Sequence, residues 1–264
     1  MSEMAVEVRG LIKRFKVRGI DLPLGLARWT APRTVTALGG IDVAVNRGEC
    51  FALLGPNGSG KTTLLKILAT LLSPDAGQVR VFGTDLLKEP ERVKPSISFL
   101  VGEERGFYWR LTGRQNLEFF SALYGLSKKA SDEKVNEVIE LFEIEEPDKP
   151  YQTYSTGVKH RLALARCFLT PAKLILMDEP TRSLDPNAAA TLRELIKSNL
   201  RGRDRTFLFT THDTLEAEEL ADCIAIIDHG KITACGTFQE LRKSAGSEAG
   251  SLTDIFRHLV VKEG

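Results

Sequence analysis

A glycine-rich stretch that follows an apolar run predicts a phosphate-binding loop. Its residues are Gly55, Pro56, Asn57, Gly58, Ser59, Gly60, Lys61 and Thr62. They fit the pattern G-x-x-x-x-G-K-[ST], which requires a strand before it and a helix after it. Glycines let backbone N–H groups surround a phosphate, and a helix that begins near Lys61 adds partial positive charge. We expect Lys61 to neutralise the β- and γ-phosphates and the Thr62 hydroxyl to bind Mg²⁺, with Thr63 in the same site.

Two carboxylates end a second apolar run. Residues 174–177 are followed by Asp178 and Glu179, where a parallel strand delivers side chains to the carboxyl edge of its sheet. Asp178 suits the ligand shell of Mg²⁺, and Glu179 suits a general base that positions water for attack on a γ-phosphate. A solvated pair at a strand end is the alternative, but the nearby phosphate loop favours the catalytic interpretation.

A third apolar run, residues 207–211, leads to His212. A histidine at the end of a strand is usually structural. Because this run ends like the other two and is followed by Asp213, we expect His212 to hydrogen-bond a γ-phosphate oxygen.

Composition excludes several classes of protein. The 264 residues carry a formal net charge of +1, so no overall attraction to nucleic acid is indicated. The apolar runs are shorter than the roughly 18 residues of a membrane span, and residues 1–10 lack the apolar core of a signal peptide. The histidines lack metal-ligand spacing, so no structural metal is expected. The cysteines form no CxxC pair and are predicted to be core thiols; they are Cys50, Cys167, Cys223 and Cys235.

Alternation of short apolar runs with helical patterns predicts an α/β fold with a parallel sheet. The predicted core strands are residues 51–55, 97–101, 174–178, 207–211 and 224–228. Residues 6–15, 35–45 and 78–82 predict an antiparallel sheet that packs on this core. Helices are predicted over residues 61–72 and 160–169, in a helical region spanning 117–144, and over 252–261 after a small polar linker at 244–251.

The ordered set of motifs resembles the ATP-binding subunits of ATP-binding-cassette (ABC) transporters. Tyr154-Ser155-Thr156-Gly157-Val158 occupies the place of that family's signature sequence, usually Leu-Ser-Gly-Gly-Gln, and Ser183-Leu184-Asp185 resembles its D-loop. The similarity runs from about residue 6 to residue 241. It implies a P-loop NTPase (RecA-like) core with an N-terminal antiparallel β subdomain and an inserted helical subdomain, at about residues 103–158 of an ATP-binding domain spanning 1–241. Residues 242–264 would form the linker and C-terminal helix.

The resemblance also implies ATP as substrate and Mg²⁺ as cofactor. In this family two copies associate head to tail, so Ser155 and Gly157 of one copy would serve the γ-phosphate held by the other. Asp185, in the segment that resembles the D-loop, is included among the predicted ATP-binding residues. Phe15 falls where the family stacks an aromatic ring on adenine. A buried aromatic on a sheet is the alternative for Phe15, and Trp29 is the rival stacking residue. Trp29 belongs to an insertion, residues 16–36, which we expect to be a variable hairpin rather than a membrane anchor.

The sequence departs from the family at one position that bears on hydrolysis. Where the family has a glutamine that touches Mg²⁺ and the attacking water, this chain has Gly102-Glu103-Glu104. Glu103 is the best substitute, because a carboxylate oxygen can bind Mg²⁺. Thr156 and Val158 also depart from the usual signature sequence. Such changes resemble a branch of bacterial exporters with separately encoded permeases.

The resemblance implies a transmembrane permease as partner and a location at the cytoplasmic face of the membrane. The aromatic residues 107–109 suit a contact with that permease, and packing inside the helical subdomain is the equal alternative. A soluble cassette ATPase acting on ribosomes or DNA is disfavoured, since neither a second cassette nor a basic face is evident. An ATP-dependent switch with slow hydrolysis, not coupled to transport, is the remaining alternative.

Overall fold

The computed structural model describes residues 4–17, 20–21, 28–29, 33–101, 106–200, 205–245 and 250–260. In this part of the chain, two large β-sheets and their surrounding helices enclose the core. In chain order the strands are β1 (Met4–Val17), β2 (Ile20–Asp21), β3 (Arg28–Trp29), β4 (Arg33–Asn46), β5 (Cys50–Leu54), β6 (Ala76–Val81), β7 (Thr84–Asp85), β8 (Ile97–Val101), β9 (Leu174–Asp178), β10 (Thr206–Thr211), β11 (Cys223–Asp228) and β12 (Lys231–Gly236).

Helices follow most of the core strands, and short 3₁₀ turns occupy Lys94–Ser96 and Tyr151–Thr153. The helices are α1 (Lys61–Leu68), α2 (Pro90–Val93), α3 (Gly113–Leu123), α4 (Lys128–Leu141), α5 (Thr156–Cys167), α6 (Pro186–Leu200), α7 (Thr214–Leu220), α8 (Phe238–Ser244) and α9 (Leu252–Val260). The helical region predicted at residues 117–144 is therefore a pair of helices, α3 and α4. A capping box between Thr112 and Gln115 begins the first of them.

The larger sheet has the strand order β12-β11-β5-β10-β9-β8. Strands β8, β9, β10, β5 and β11 are parallel to their neighbours in this series, while β12 is antiparallel to β11 at one edge. The five predicted core strands are confirmed to within one residue at each end. The edge strand β12 was not predicted, because its alternating half-buried pattern gives a weaker signal than a continuous apolar run.

Side chains of the central strand β5 point alternately to two separate apolar clusters. Ala52 and Leu54 pack with residues of the helical layer, whereas Phe51 and Leu53 pack with α1 and the antiparallel sheet. All five residues of β5 are buried. Burial on both faces explains why the strand is uniformly apolar. Polar functional side chains are therefore expected at the ends of the strands.

The antiparallel sheet has the order β4-β1-β6-β7. Its first three strands overlap the predicted runs 35–45, 6–15 and 78–82, whereas β7 was not predicted. Strands β1 and β4 are 14 residues each, and they remain paired out to Val17 and Arg33. Beyond that point β2 pairs antiparallel with β3, which is the pairing of a hairpin. The expectation of a hairpin in the insertion is thus confirmed for the described residues.

Two predicted helices have different ends in the structure. Helix α1 ends at Leu68 rather than at residue 72, and Thr70 has a left-handed φ of 61°, which is incompatible with continuing the helix. Helix α5 begins at Thr156, four residues before the predicted start, because the Ser155 hydroxyl accepts a hydrogen bond from the Val158 N–H and caps it.

The prediction that all four cysteines are core thiols is wrong for Cys235, while Cys223 packs at the border of one apolar cluster. Cys50 and Cys167 are buried, whereas Cys223 is partly exposed and Cys235 is exposed. Both belong to the β11–β12 pair at the sheet edge, where one strand has no further neighbour to cover it. Their sulfur atoms lie 4.0 Å apart.

A two-residue turn between β11 and β12 connects the two sheets. His229 and Gly230 both have positive φ, 43° and 76°, as in a type I′ hairpin turn. The Gly230 N–H donates to the Ser59 carbonyl at 3.0 Å, and the Gly39 N–H donates to the Gly230 carbonyl at 2.8 Å. The turn therefore contacts both the phosphate loop and β4.

Candidate functional site

Three chain segments with predicted roles meet at the carboxyl edge of the parallel sheet. Strands β5, β10 and β9 are neighbours, so the residues that follow them lie side by side. Backbone hydrogen bonds connect these segments: the Gly55 N–H donates to the Thr211 carbonyl at 3.2 Å, and the Glu179 N–H donates to the Thr210 carbonyl at 3.1 Å.

The loop after β5 has no space for side chains at two of its glycines. A Cβ at Gly55 would lie 2.2 Å from the carbonyl oxygen of Ile227, and one at Gly60 would lie 2.5 Å from that of Ala37. Gly60 also has a φ of +109°, a conformation that favours glycine. The loop consequently turns tightly into α1, whose first N–H groups have no partner within the helix and are suited to bind an anion.

The Lys61 side chain is buried against this loop, with only 4% of its surface exposed. Its Nζ donates to the carbonyl oxygens of Gly55 at 2.7 Å and Pro56 at 3.0 Å. Burial lowers the pKa of Lys61, while the charges of Glu179 and Asp178 oppose that shift. The ammonium group is therefore held inside the loop, next to two carboxylates.

Asp178 and Thr62, both predicted Mg²⁺ ligands, are in contact. The Thr62 hydroxyl donates to Asp178 Oδ1 at 3.0 Å, and the Thr210 hydroxyl donates to the same oxygen at 2.6 Å. Carboxylate, hydroxyl and water oxygens are the donors that Mg²⁺ takes in nucleotide sites. These side chains fit the ion. The third predicted ligand, Glu103, lies outside the described residues.

Glu179 is surrounded by nitrogen atoms at the end of β9. Its Oε1 lies 3.9 Å from Lys61 Nζ and 3.5 Å from His212 Nδ1, and its Oε2 lies 3.4 Å from an Arg182 guanidinium nitrogen. Within the described part of the chain, Oε2 is buried and has no hydrogen-bond partner. Buried carboxylate oxygens usually have a hydrogen-bond partner, and the predicted role of Glu179 would provide one in the attacking water.

His212 follows β10 and has 53% of its side chain exposed. Its position beside Glu179 confirms that the ends of these two strands bring the predicted catalytic side chains together. The side chain is therefore accessible, as the predicted contact with a γ-phosphate oxygen requires.

Two adjoining cavities open beside Glu179. The first, about 420 Å³, is lined by phosphate-loop residues together with Thr62 and Thr63. The second, about 490 Å³, is lined by His212, Ser183 and the start of α6. Asn57, Glu179 and Arg182 line both, so the phosphate loop and the predicted catalytic residues form one continuous site.

Three other predicted site residues lie elsewhere in the chain. Ser155 caps α5 and is exposed, Gly157 is in the first turn of that helix, and neither is among the described residues that line the two cavities. Asp185 accepts hydrogen bonds from the N–H groups of Asn187 and Ala188, both at 3.0 Å, at the start of α6. Among the described residues, Ser155 and Gly157 are therefore not brought into the phosphate site of their own copy, whereas the neighbours of Asp185, Leu184 and Pro186, line the second cavity.

Phe15 lies on β1 and is 38% exposed, so the alternative of a buried sheet aromatic is not supported. It pairs with Val35 of β4, two residues before Ala37, which lines the phosphate cavity. The Lys13 ammonium lies 5.5 Å from the centre of the Phe15 ring. Trp29 pairs with Ile20 in the β2–β3 hairpin, and its side chain lies outside the described part of the structure.

The aromatic residues 107–109 differ in how far they are buried. Phe107 packs inside the helical layer, stacked on Tyr151 with ring centres 4.9 Å apart. Tyr108 and Trp109 are 49% and 68% exposed. Tyr108 also packs edge-to-face on Phe119, with ring centres 4.8 Å apart. Packing within the helical layer is thus observed for Phe107 and Tyr108, and a contact with a permease stays a prediction.

Sequence reasoning missed four residues that contact the site. Thr210 and Thr211 end β10, Thr181 follows Glu179, and Arg182 approaches the Glu179 carboxylate. The two threonines at the end of an otherwise apolar strand were the available signal, because polar side chains at that position face the same edge as Asp178.

Comparison with known proteins identifies one family. Residues 38–182 match the family model described as ABC transporter. The chain is 40% identical to the daunorubicin/doxorubicin resistance ATP-binding protein DrrA of Streptomyces peucetius, over 92% of this chain and 68% of that protein. It is 33% identical to the ABC transporter ATP-binding protein NatA of Bacillus subtilis (strain 168), over 87% of this chain and 93% of that protein.

Solved structures share the fold. An ATP-binding cassette determined as a dimer after hydrolysis, with bound ADP and phosphate, superposes with a TM-score of 0.74 at 22% identity, covering 88% of this chain and 98% of that one. Among the described residues, no helix has both the length and the apolar character needed to cross a bilayer.

Proposed function

The chain belongs to the ABC transporter family, and on that basis we propose that it binds and hydrolyses ATP to drive a separate transmembrane permease. The observation that carries this proposal is the convergence of Lys61, Glu179 and His212 on one phosphate-loop site. The family relationship, taken with this convergence, identifies an ATPase with Mg²⁺ as its cofactor.

Each side chain in the site has a role consistent with its position. The loop N–H groups and the Lys61 ammonium bind the phosphates, while Thr62 and Asp178 would hold the metal. When bound there, Mg²⁺ supplies charge neutralisation at the β- and γ-phosphate oxygens. The carboxylate of Glu179 accepts a proton from the attacking water, and the His212 imidazole hydrogen-bonds the γ-phosphate. Thr63 lines the phosphate cavity beside them.

A second copy of the chain completes the ATP site in this proposal. Ser155 and Gly157 begin α5 at a position away from the phosphate cavity, so they are available to a facing copy. In a head-to-tail dimer, the N-terminus of α5 would meet the γ-phosphate held by the other copy, and the Asp185 segment would lie at the same interface. ATP between the two copies would then favour the closed dimer.

The partner in the membrane is the permease. The exposed aromatic side chains of Tyr108 and Trp109 are of the kind enriched at protein interfaces, which supports the helical layer as the contact. The chain would then lie at the cytoplasmic face of the membrane. The resistance named for the Streptomyces peucetius relative supports export as the direction, and no nucleic-acid partner is proposed.

The rate of ATP hydrolysis per subunit, measured against protein concentration, tests this function. A dimeric ATPase gives a rate that rises with concentration, and Glu179→Gln abolishes turnover while leaving an ATP-bound dimer that light scattering detects. A concentration-independent rate that survives in Glu179→Gln would contradict the proposal. Intact ATP binding and dimerisation without hydrolysis, even with the permease present, would instead support the switch that hydrolyses slowly.

A further inference from the structure

A buried carboxylate with no role in the proposed chemistry lies in the wall of the second cavity, near His212 and Glu179. Glu216 belongs to α7 and is only 1% exposed. Burial raises its pKa, which shows that the surroundings penalise its charge, although hydroxyl groups of Thr211 and Thr181 oppose that shift. A group held at such a cost requires a structural or functional reason.

The contacts of Glu216 connect two segments of the site. The Thr181 hydroxyl donates to Glu216 Oε1 at 2.8 Å, and the Thr211 hydroxyl is close enough to the carboxylate to lower its pKa. Both threonines line the second cavity together with Glu216. Thr181 is two residues after Glu179, and Thr211 directly precedes His212. The other charged groups near Glu216 are Asp213, at the start of α7, and Arg193 of α6.

The segment after Glu179 needs support because its backbone is strained. Glu179 and Ser183 have φ values of 48° and 68°, which non-glycine residues keep only where the surrounding structure imposes them. Thr181 lies midway between these two residues, and its hydroxyl is the donor to Glu216. The hydrogen bond therefore fixes the segment at its centre.

The segment that carries His212 also contacts Glu216. The Thr211 hydroxyl, besides its contact with Glu216, accepts a hydrogen bond from the Asp213 N–H at 2.9 Å. His212 lies between those two residues. Its Nδ1 is 3.5 Å from Glu179 Oε1, so the separation of the two catalytic side chains depends on two backbone segments that Glu216 joins.

We propose that Glu216 is a positioning residue that sets His212 against Glu179 by holding Thr181 and Thr211 together. This inference rests on the proposed function, in which His212 and Glu179 act on the γ-phosphate and the attacking water. Glu216 itself touches neither ATP nor water in this proposal.

Substitutions of Glu216 test whether it positions the catalytic residues rather than only stabilising the fold. Glu216→Ala removes the carboxylate beside the two hydroxyls, so kcat should fall at least about tenfold through misplaced catalytic groups, while KM for ATP stays within about twofold. Glu216→Gln keeps an amide oxygen that accepts one hydroxyl and should restore most of the rate. Glu219→Gln is the matched control: Glu219 is on the same helix, paired with Arg193 at 2.7 Å, and its loss should leave kcat unchanged.

A double-mutant cycle tests whether Glu216 acts through His212. If it does, Glu216→Ala added to His212→Ala lowers kcat little further. Effects that multiply, or an unchanged kcat in Glu216→Ala alone, would overturn the inference. A wild-type chain without Mg-ATP hydrolysis would count against the proposed function instead.

NMR of the nucleotide-free chain distinguishes failure of the positioning inference from failure of the proposed function. The ring resonances of His212, assigned by their absence from the spectrum of His212→Ala, report its surroundings without any turnover. They should shift in Glu216→Ala and stay in place in Glu219→Gln. An unmoved His212 signal in folded Glu216→Ala would refute the positioning role whatever the activity.

Discussion

The hydroxyl of Thr62 donates a hydrogen bond of 3.0 Å to Asp178, although 116 positions separate the two residues in the chain. Thr62 lies in the first turn of α1, which follows β5, and Asp178 ends β9, so the contact exists because the parallel sheet places the ends of β5 and β9 at one edge. Both oxygen atoms are already close enough to share a cation.

We expect Asp178→Asn to raise the Mg²⁺ concentration needed for half-maximal ATP hydrolysis by at least about tenfold, since it removes the ligand charge that favours the ion. Thr62→Ser, which keeps the hydroxyl, should change this value little, and Thr62→Val should behave like Asp178→Asn. Titration of turnover with Mg²⁺ measures all three. Equal Mg²⁺ requirements in wild type and Asp178→Asn would remove this carboxylate from the metal site.

Lys61→Ala should weaken ATP binding about tenfold or more, because hydrogen bonds to charged groups contribute about 1.5–3 kcal/mol and this ammonium is held within the loop. Lys66→Ala changes an exposed lysine of the same helix and serves as the control. Isothermal titration calorimetry with ATP compares them. A Lys61→Ala chain that binds ATP like the control would contradict the assignment of the phosphate loop.

Phe15→Ala should weaken ATP binding roughly 5- to 150-fold if its ring stacks on adenine, since base–aromatic stacking contributes about 1–3 kcal/mol. Phe15→Trp keeps an aromatic face and should bind nearly as wild type does. Trp29→Ala is the competing substitution in the same binding assay. A larger loss in Trp29→Ala than in Phe15→Ala would transfer the stacking role to the insertion.

Glu103→Ala should lower Mg²⁺-dependent turnover more than ATP affinity, because the expected role of Glu103 is at the metal and the attacking water. Its neighbour offers a matched control, Glu104→Ala. Steady-state kinetics and binding measured on the same preparations separate the two quantities. If Glu104→Ala proves the more damaging change, the substitute for the missing glutamine is Glu104.

Much of the site could be predicted because its residues interrupt strongly apolar strands. Strand β9 shows this most clearly: four buried residues precede Asp178 and Glu179, and the change of polarity marks the end of the strand. The same contrast identified His212 after β10. Such a change of polarity can be recognised from the local sequence alone, without knowing which strands are neighbours in the sheet.

Other contacts could not be predicted because they depend on how distant segments pack. Nothing in the sequence around Glu216 distinguishes it from the acidic residues beside it on α7, yet it alone of the three glutamates on that helix is buried. Its acceptor role appears only when the segments carrying Thr181 and Thr211 are brought together. The exposure of Cys235 likewise follows from β12 being an edge strand, a property of the sheet rather than of local sequence.

The turn at Gly230 links the phosphate loop to β4, so a substitution there is expected to affect both. Its N–H and carbonyl groups bond the phosphate loop on one side and β4 on the other, and a Cβ there would lie 2.7 Å from the Ala37 carbonyl oxygen. Any side chain introduced at this position disturbs both attachments at once. We therefore expect substitutions at this turn to disturb the phosphate loop and the position of β4 together rather than one of them alone.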